Sequence, residues 1–356
     1  MPWRVSPPTC RGSGRRFARG PGSLPSRLKR SDCSETGITR RRCGGGFTYK
    51  DAHGRRVEDE ETLARIRALA IPPAWRDVWI CPAPNGHIQA TGFDEAGRKQ
   101  YLYHERWHER AAQRKFEAMR DFAAALPRLR RSVRRDIRAD GVPRRRALAC
   151  AVRLMDLGFL RVGGEEYAEA NGSFGVATIR REHVSIHRDE MLFDFPAKSG
   201  QRRVQSLRDR EARAAVEAMR RRRMGPADLL VYREGGEWRD VRSADVNAYI
   251  QAQIGDRFSA KDFRTWHGTV LAAIELAVEG PPASRRAAER SVAAAMKRVA
   301  EALGNTPAVC RASYVDPRLL DRFRDGVTIS PGAERDGSVS GRTQARVERE
   351  VLQLIS

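Results

Sequence analysis

No apolar run in the sequence approaches the roughly 18–20 residues that cross a bilayer, so no transmembrane helix is expected. The amino terminus lacks the apolar centre of a secretory signal, and repeated Pro and Gly interrupt any amphipathic mitochondrial presequence. The six cysteines (Cys10, Cys33, Cys43, Cys81, Cys150 and Cys310) include no CxxC pair. That absence excludes the usual zinc-ligand spacing and argues against a dense disulfide framework, leaving reduced thiols in an intracellular protein. Internal repeats are also missing. Acid is scarce: 45 Asp and Glu face 67 Lys and Arg, a formal charge of +22. Such a surplus favours a polyanionic partner, although ribosomal, RNA-binding and anionic-membrane proteins share it. Arginine far exceeds lysine, which suits fixed forks on phosphate oxygens and also accompanies GC-rich coding.

What is present fits a folded chain. Its 356 residues, 40 % of them apolar, suffice for two domains with a sizeable core. Residues 1–42, rich in Arg, Ser, Gly and Pro, read as a disordered basic tail, or equally as an upstream extension of the translated frame. Residues 43–104 read as a small β-rich domain with strands at Phe47–Tyr49, Val78–Ile80, His87–Thr91 and Lys99–Tyr103 and a short helix over 61–69. From 105 the pattern turns helical. The basic run Arg128–Arg138 reads as a linker or a solvated helix face and is a candidate phosphate contact. Strands are expected again at Val176–Ile179, Met191–Phe195 and Arg203–Leu207, the last two joined by a hairpin turn at Lys198-Ser199-Gly200. Helices follow from about 209, with 326–356 as a carboxy-terminal helical extension. The fold class is α+β: a small β-rich domain, then a mainly helical domain with one small sheet.

Several dispersed motifs carry chemistry. Phe159-Leu160-Arg161-Val162-Gly163, with Tyr167 and Phe174–Ile179 after it, resembles the first catalytic-arginine segment of type IB DNA topoisomerases, the bacterial and poxvirus-like branch in particular. Asp194–Gly200 resembles their lysine hairpin, Lys261–Thr265 the second arginine motif, and Leu303–Pro307 with Ser313-Tyr314 the nucleophile segment. Gly86–Gly92 and Gly97–Tyr103 resemble the amino-terminal DNA-contacting module, so the likeness spans roughly 45–325 and makes 105–325 the catalytic domain.

The resemblance implies a division of labour that residue chemistry supports. Tyr314 would attack a phosphodiester; a phenol is mostly protonated at neutral pH and needs assistance. Arg161 and Arg264 would stabilise the phosphoryl-transfer transition state. Lys198 would protonate the departing 5′ oxygen. Asn305 stands where poxvirus-like and eukaryotic members have histidine and bacterial members have asparagine; its amide donates a hydrogen bond but does not titrate. The family further implies a 3′-phosphotyrosyl link and a clamp around supercoiled duplex DNA, with swivelling and religation by a monomer. No cofactor, ATP, obligatory metal, protein partner or membrane is expected, and the place of action would be the cytoplasm, at the nucleoid.

Ala197 departs from the glycine familiar before the hairpin lysine; its methyl would shift Lys198 if a left-handed backbone were needed. Gln89, Gln100, Tyr101, Tyr103 and Tyr167 match DNA-contacting positions, Tyr101 and Tyr103 sharing one strand face. Trp266 and His267 would support the second arginine. Two alternatives stay open at this stage. A tyrosine recombinase uses similar chemistry but commonly has histidine where Lys261 stands, and a non-enzymatic basic DNA-binding protein would explain only the charge.

Overall fold

A computed structural model describes residues 27–330 and 341–356. Cys10 and residues 1–26 of the expected tail lie outside the described residues. The remainder of that tail contradicts the compositional reading. Strand β1 (Ile38–Cys43) pairs with β2 (Gly46–Lys50) on one side and with β3 (Arg76–Ile80) on the other. Its charged side chains hid it from an apolar-alternation reading, yet Ile38 is buried and the Arg40 guanidinium donates to the carbonyls of Ile71, Pro72 and Trp75. Backbone pairing on both edges, rather than hydrophobic content, makes this segment a strand.

The chain packs as two compact units divided between Ala112 and Gln113, eight residues beyond the expected boundary at 104. In the first, helix α1 (Glu60–Ala68) follows β2, and β4 (Ile88–Phe93) and β5 (Lys99–Tyr103) complete an antiparallel sheet of order β2-β1-β3-β4-β5. The Asp59 side chain caps α1 by accepting from the Thr62 amide. Ile66 of α1 packs with Ile38, Val78, Ile80 and Ala90 to form this unit's core.

The division falls within α2 (Glu105–Ile137), which takes in the Arg128–Arg138 run except for Arg138. The second unit continues with α3 (Arg144–Gly158), α4 (Glu165–Asn171), and the antiparallel sheet β6 (Val184–His187), β7 (Glu190–Pro196) and β8 (Arg202–Leu207). Then come α5 (Arg210–Arg220), a hairpin of β9 (Val231–Glu234) and β10 (Glu237–Asp240), α6 (Ser243–Ile254), α7 (Ala260–Glu279), α8 (Arg285–Leu303), α9 (Pro307–Ser313), α10 (Pro317–Arg324) and α11 (Gly341–Leu354). The β9–β10 hairpin adds a second small sheet to the helices expected to dominate after 209; Gly235-Gly236, its two-residue turn, was the sequence signal that had been passed over. Val176–Ile179, expected as a strand, forms a turn instead. Its apolar residues are buried because the Val176 and Ala177 amides bond to the Arg161 and Val162 carbonyls, laying one loop across another.

Helix α7 runs through the middle of this unit, with residues Phe263–Val270 buried without interruption. Beneath it lies an ion network. Arg130 holds Asp156 at 2.8 Å and Glu348 at 2.6 Å, and His267 meets Asp156 at 3.2 Å. Arg130 and His267 hold the buried Asp156 carboxyl well below the usual carboxylate range, against the opposing effect of burial. Glu348 sits on α11, so the expected carboxy-terminal extension is bonded into the same network. Asp156→Ala should cost about 3–5 kcal/mol by leaving Arg130 and its surroundings uncompensated. Glu348→Ala should cost less, about 1–3 kcal/mol, because Arg130 keeps Asp156. Denaturant midpoints of the two variants test this ordering, and unchanged midpoints would deny the network a structural role.

Candidate active site

The carboxyl end of α8 is where separate parts of the chain converge. A helix leaves its last carbonyls without intrahelical partners, and its dipole makes that end negative. Here arginines from three elements take those carbonyls. Arg203 of β8 donates to Ala302 at 2.7 Å, Arg264 of α7 to Leu303 at 2.8 Å, and Arg161, in the loop after α3, to Gly304 at 2.8 Å. Arg161 also donates to Asn305 Oδ1 at 2.7 Å, which fixes the amide's orientation. A second Arg264 nitrogen donates to the Phe159 carbonyl at 3.0 Å; Phe159 itself is left-handed, φ 52°, at the end of α3. The Arg161 loop owes its path to a close backbone crossing, since a Cβ on Gly175 would lie 2.5 Å from Gly163 Cα.

Grouping like charges leaves this cluster electrostatically unfilled. Burial and then the charge of Arg264 pull the Arg161 pKa down to about 10. Burial likewise lowers Arg264 and Arg203. All three remain cations at neutral pH, and an anion placed among them would relieve their mutual repulsion. Two buried N–H donors also lack partners: Nε of Arg264 and Nδ2 of Asn305. A cavity of about 380 Å³ opens here, lined by Arg161, Ala197, Arg203, Lys297 and Asn305, among others. The chemistry of this lining suits a phosphate.

Tyr314 follows α9, whose first turn is capped by the Thr306 side chain. The Tyr314 amide bonds to the Cys310 carbonyl at 2.9 Å, and its ring lies 5.2 Å from Arg264 Cζ and 5.3 Å from Lys115 Nζ. Arg161, Arg264, Asn305 and Tyr314 are thus gathered around one helix end. Lys198 is placed differently, exposed in the turn between β7 and β8, while its neighbour Ala197 lines the cavity. The Ala197 methyl imposes no strain, because its φ of −102° suits any residue; Gly200 takes the left-handed position, φ 70°.

Residues 104–326 match the family described as eukaryotic DNA topoisomerase I, catalytic core, and residues 46–94 match bacterial DNA topoisomerase IB, N-terminal domain. The chain belongs to the type IB DNA topoisomerases. It is 31 % identical to DNA topoisomerase 1B of Acanthamoeba polyphaga mimivirus over 297 residues, covering 81 % of this chain and 88 % of that one. DNA topoisomerase I of Monkeypox virus is 22 % identical over 66 % of this chain and 72 % of its own. DNA topoisomerase 1 of Candidozyma auris is 27 % identical over 44 % of this chain and 20 % of its own length. As a type IB topoisomerase the protein binds DNA and is an ATP-independent enzyme that transiently cuts one strand with a tyrosine nucleophile. No helix among the described residues is long and apolar enough to cross a membrane.

Within this topoisomerase the expected non-catalytic contacts differ in availability. Gln89 is buried with its amide used internally, accepting from Arg65 at 2.9 Å and donating to Gly86 at 2.7 Å. Gln100 donates to Asp94 at 2.9 Å. Tyr101 and Tyr103 stack 6.1 Å apart, with Tyr101 exposed, and Tyr167 is exposed on α4. Trp266 is buried, and His267 joins Asp156 below Arg264. Sequence reasoning passed over Arg203 and Lys115. Arg203 carried a faint signal, two residues before Gln205 on the strand that leaves the lysine turn; Lys115, 199 positions before Tyr314 in the chain, carried none.

Gly268 of α7 makes the seat of Tyr314 possible. A Cβ there would lie 2.5 Å from the Tyr314 carbonyl oxygen and 3.0 Å from its Cβ. Gly268→Ala, which in an open helix would stabilise by about 1 kcal/mol, should here destabilise by about 1–3 kcal/mol. With Tyr314 as the attacking residue it should also slow covalent attachment to DNA at least about tenfold, since small misplacements of a reacting group weigh heavily. A thermal midpoint that rises with unchanged attachment would show that the contact does not position Tyr314.

Proposed function

We propose that Tyr314 is the nucleophile of this topoisomerase, with Arg161, Arg264 and Asn305 as the phosphate cradle and Lys198 as the general acid. The observation that carries this reading is the convergence of Tyr314 with those cationic and amide donors, two of whose N–H groups are buried without a partner. A scissile phosphate in the cavity would accept from Asn305 Nδ2 and Arg161, which line it, with Arg264 adding its charge from beside the Tyr314 ring. Donors already held by α8 carbonyls need little reorganisation as charge develops on phosphorus, which is where such preorganisation counts most.

The Tyr314 oxygen attacks phosphorus and its proton passes to water. The P–O5′ bond breaks, and Lys198 supplies a proton to the leaving oxygen from the β7–β8 turn. Ala197, the residue before Lys198, lines the cavity, which supports this role. The product is a 3′-phosphotyrosyl link and a free 5′ hydroxyl. Because the link conserves the bond's energy, the hydroxyl can reverse the attack after strand rotation has released torsion. The reading is of a monomer relaxing supercoils of either sign, with fixed cations supplying the charge stabilisation and no obligatory metal.

Purified protein incubated with supercoiled plasmid, excess chelator and no ATP should relax it, and Tyr314→Phe should abolish covalent attachment while DNA binding persists. Attachment that survives in Tyr314→Phe would remove Tyr314 from this role. Lys198→Ala should slow cleavage by about 10²–10⁴-fold on ordinary DNA but far less when the 5′ leaving oxygen is replaced by sulfur, which departs without a proton. An equal loss on both substrates would sink the general-acid assignment.

A further inference from the structure

One cation beside the nucleophile belongs to none of the matched motifs. Lys115 lies near the beginning of the second unit, on α2, and is half-buried. Its ammonium donates to the Ser313 carbonyl, at the carboxyl end of α9, and lies over the Tyr314 ring at 5.3 Å from the centroid. It therefore grips the peptide that carries the nucleophile and faces the ring whose charge changes in the reaction. We propose that Lys115 is a positioning residue for Tyr314, holding the Ser313–Tyr314 junction in place and favouring the phenolate as it attacks. This rests on Tyr314 being the nucleophile.

The physical case has two parts. A buried ammonium is poorly hydrated, so its field reaches neighbouring groups with less screening than a surface lysine's would. Burial pulls the Lys115 pKa down, while Asp262 on α7 pulls it back up. Asp262 is itself fixed, accepting from the Ser259 amide at 2.7 Å. Moreover, a cation over an aromatic face gains from the ring quadrupole, and gains far more once the phenol becomes an anion. Interaction that grows along the reaction coordinate is the kind that speeds it. Other charged or titratable groups near this position include Arg264 and Lys261 on α7, Arg161 in the loop after α3, Cys310 on α9, Asp316 and Arg318 at the start of α10 and Glu117 on α2. Arg161 is bonded to an α8 carbonyl and Arg318 to Asp316, whereas Arg264 donates one nitrogen to Leu303 and also lies over the Tyr314 ring at 5.2 Å, so Lys115 acts on the ring alongside Arg264. Lys115 is the cation bonded to the carbonyl immediately before the nucleophile. Its own proton stays with it throughout, and the phenol's proton goes to water.

The test is single-turnover cleavage by the full-length protein, followed from neutral to alkaline pH, on duplex DNA with sulfur as the 5′ leaving atom. That substrate removes the need for the general acid, so the rise of rate with pH reports the nucleophile. Lys115→Gln keeps a donor for the Ser313 carbonyl but no charge, Lys115→Met keeps neither, and Lys115→Arg keeps both. The glutamine variant should be about tenfold slower at neutral pH, equivalent to moving the rising limb by about one pH unit, and should approach wild type at alkaline pH. The arginine variant should follow wild type. Circular dichroism confirms folding, and the methionine variant carries the comparison if the glutamine one does not fold. A deficit constant with pH, no deficit, or an arginine variant as slow as the neutral ones overturns the proposal. Tyr314→Phe separates the two readings: if it still attaches to DNA, the nucleophile assignment has failed, whereas loss of attachment with parallel pH profiles removes Lys115 alone.

Discussion

Arginine binding to the free carbonyls of α8 is the interaction on which the chemistry of the larger unit depends. Arg161, Arg203 and Arg264 arrive from a loop, a strand and a helix, and each spends a guanidinium nitrogen on this helix end. The negative end of the helix offsets part of the cost of bringing three cations together, and the carbonyls hold their planes. The arrangement is incomplete by itself. Burial lowers all three arginine pKa values, the charge of Arg264 adds to this at Arg161 and Arg203, and Arg264 Nε and Asn305 Nδ2 are buried without partners. Protein carbonyls thus supply geometry without supplying enough negative charge, which leaves a place for a phosphate.

Such a cluster needs a rigid support, and the layer below provides it. Asp156, buried and charged, binds Arg130 and His267, while Phe159 closes α3 and offers its carbonyl to Arg264. His267 and Arg264 are three residues apart on α7 and lie on neighbouring positions of one helical face. The ring of Phe159 packs edge-on against His267 at 4.9 Å. Support and site are therefore joined through two short segments, 156–161 and 264–268. Glu348 extends the network to α11, so a helix remote in sequence from every motif contributes to holding them.

The Tyr314 segment is held through its main chain, by close packing and by side-chain bonds to its backbone groups. Gly268 leaves room for the Tyr314 main chain, and Thr269 both accepts the Asp316 amide at 3.1 Å and lies 3.4 Å from the Tyr314 carbonyl. The Tyr314 ring itself is held among cations. Lys198 contrasts with it: an exposed turn keeps a long side chain free of the α8 anchor, which suits the proton donor proposed for it.

The sequence alone determined the family and the order of the motifs that resemble it. Arg161, Lys198, Arg264, Asn305 and Tyr314 stand in motifs legible by type and spacing, while the compact units divide between Ala112 and Gln113 and not where the strand-rich pattern ends at 104. Local rules also read correctly the strands β2 to β5 and the hairpin of β7 and β8, because alternation and turn residues act over a few positions. They failed at β1, where arginines occupy a strand that pairing stabilises, and at Val176–Ile179, where apolar residues serve a loop crossing. Tertiary structure decided the rest. The bond from Arg161 to Gly304 spans 143 positions and that from Lys115 to Ser313 spans 198. No periodicity encodes contacts at such separations. They exist because folding delivers unsatisfied carbonyls and excess cations to the same place, where each answers the other's lack.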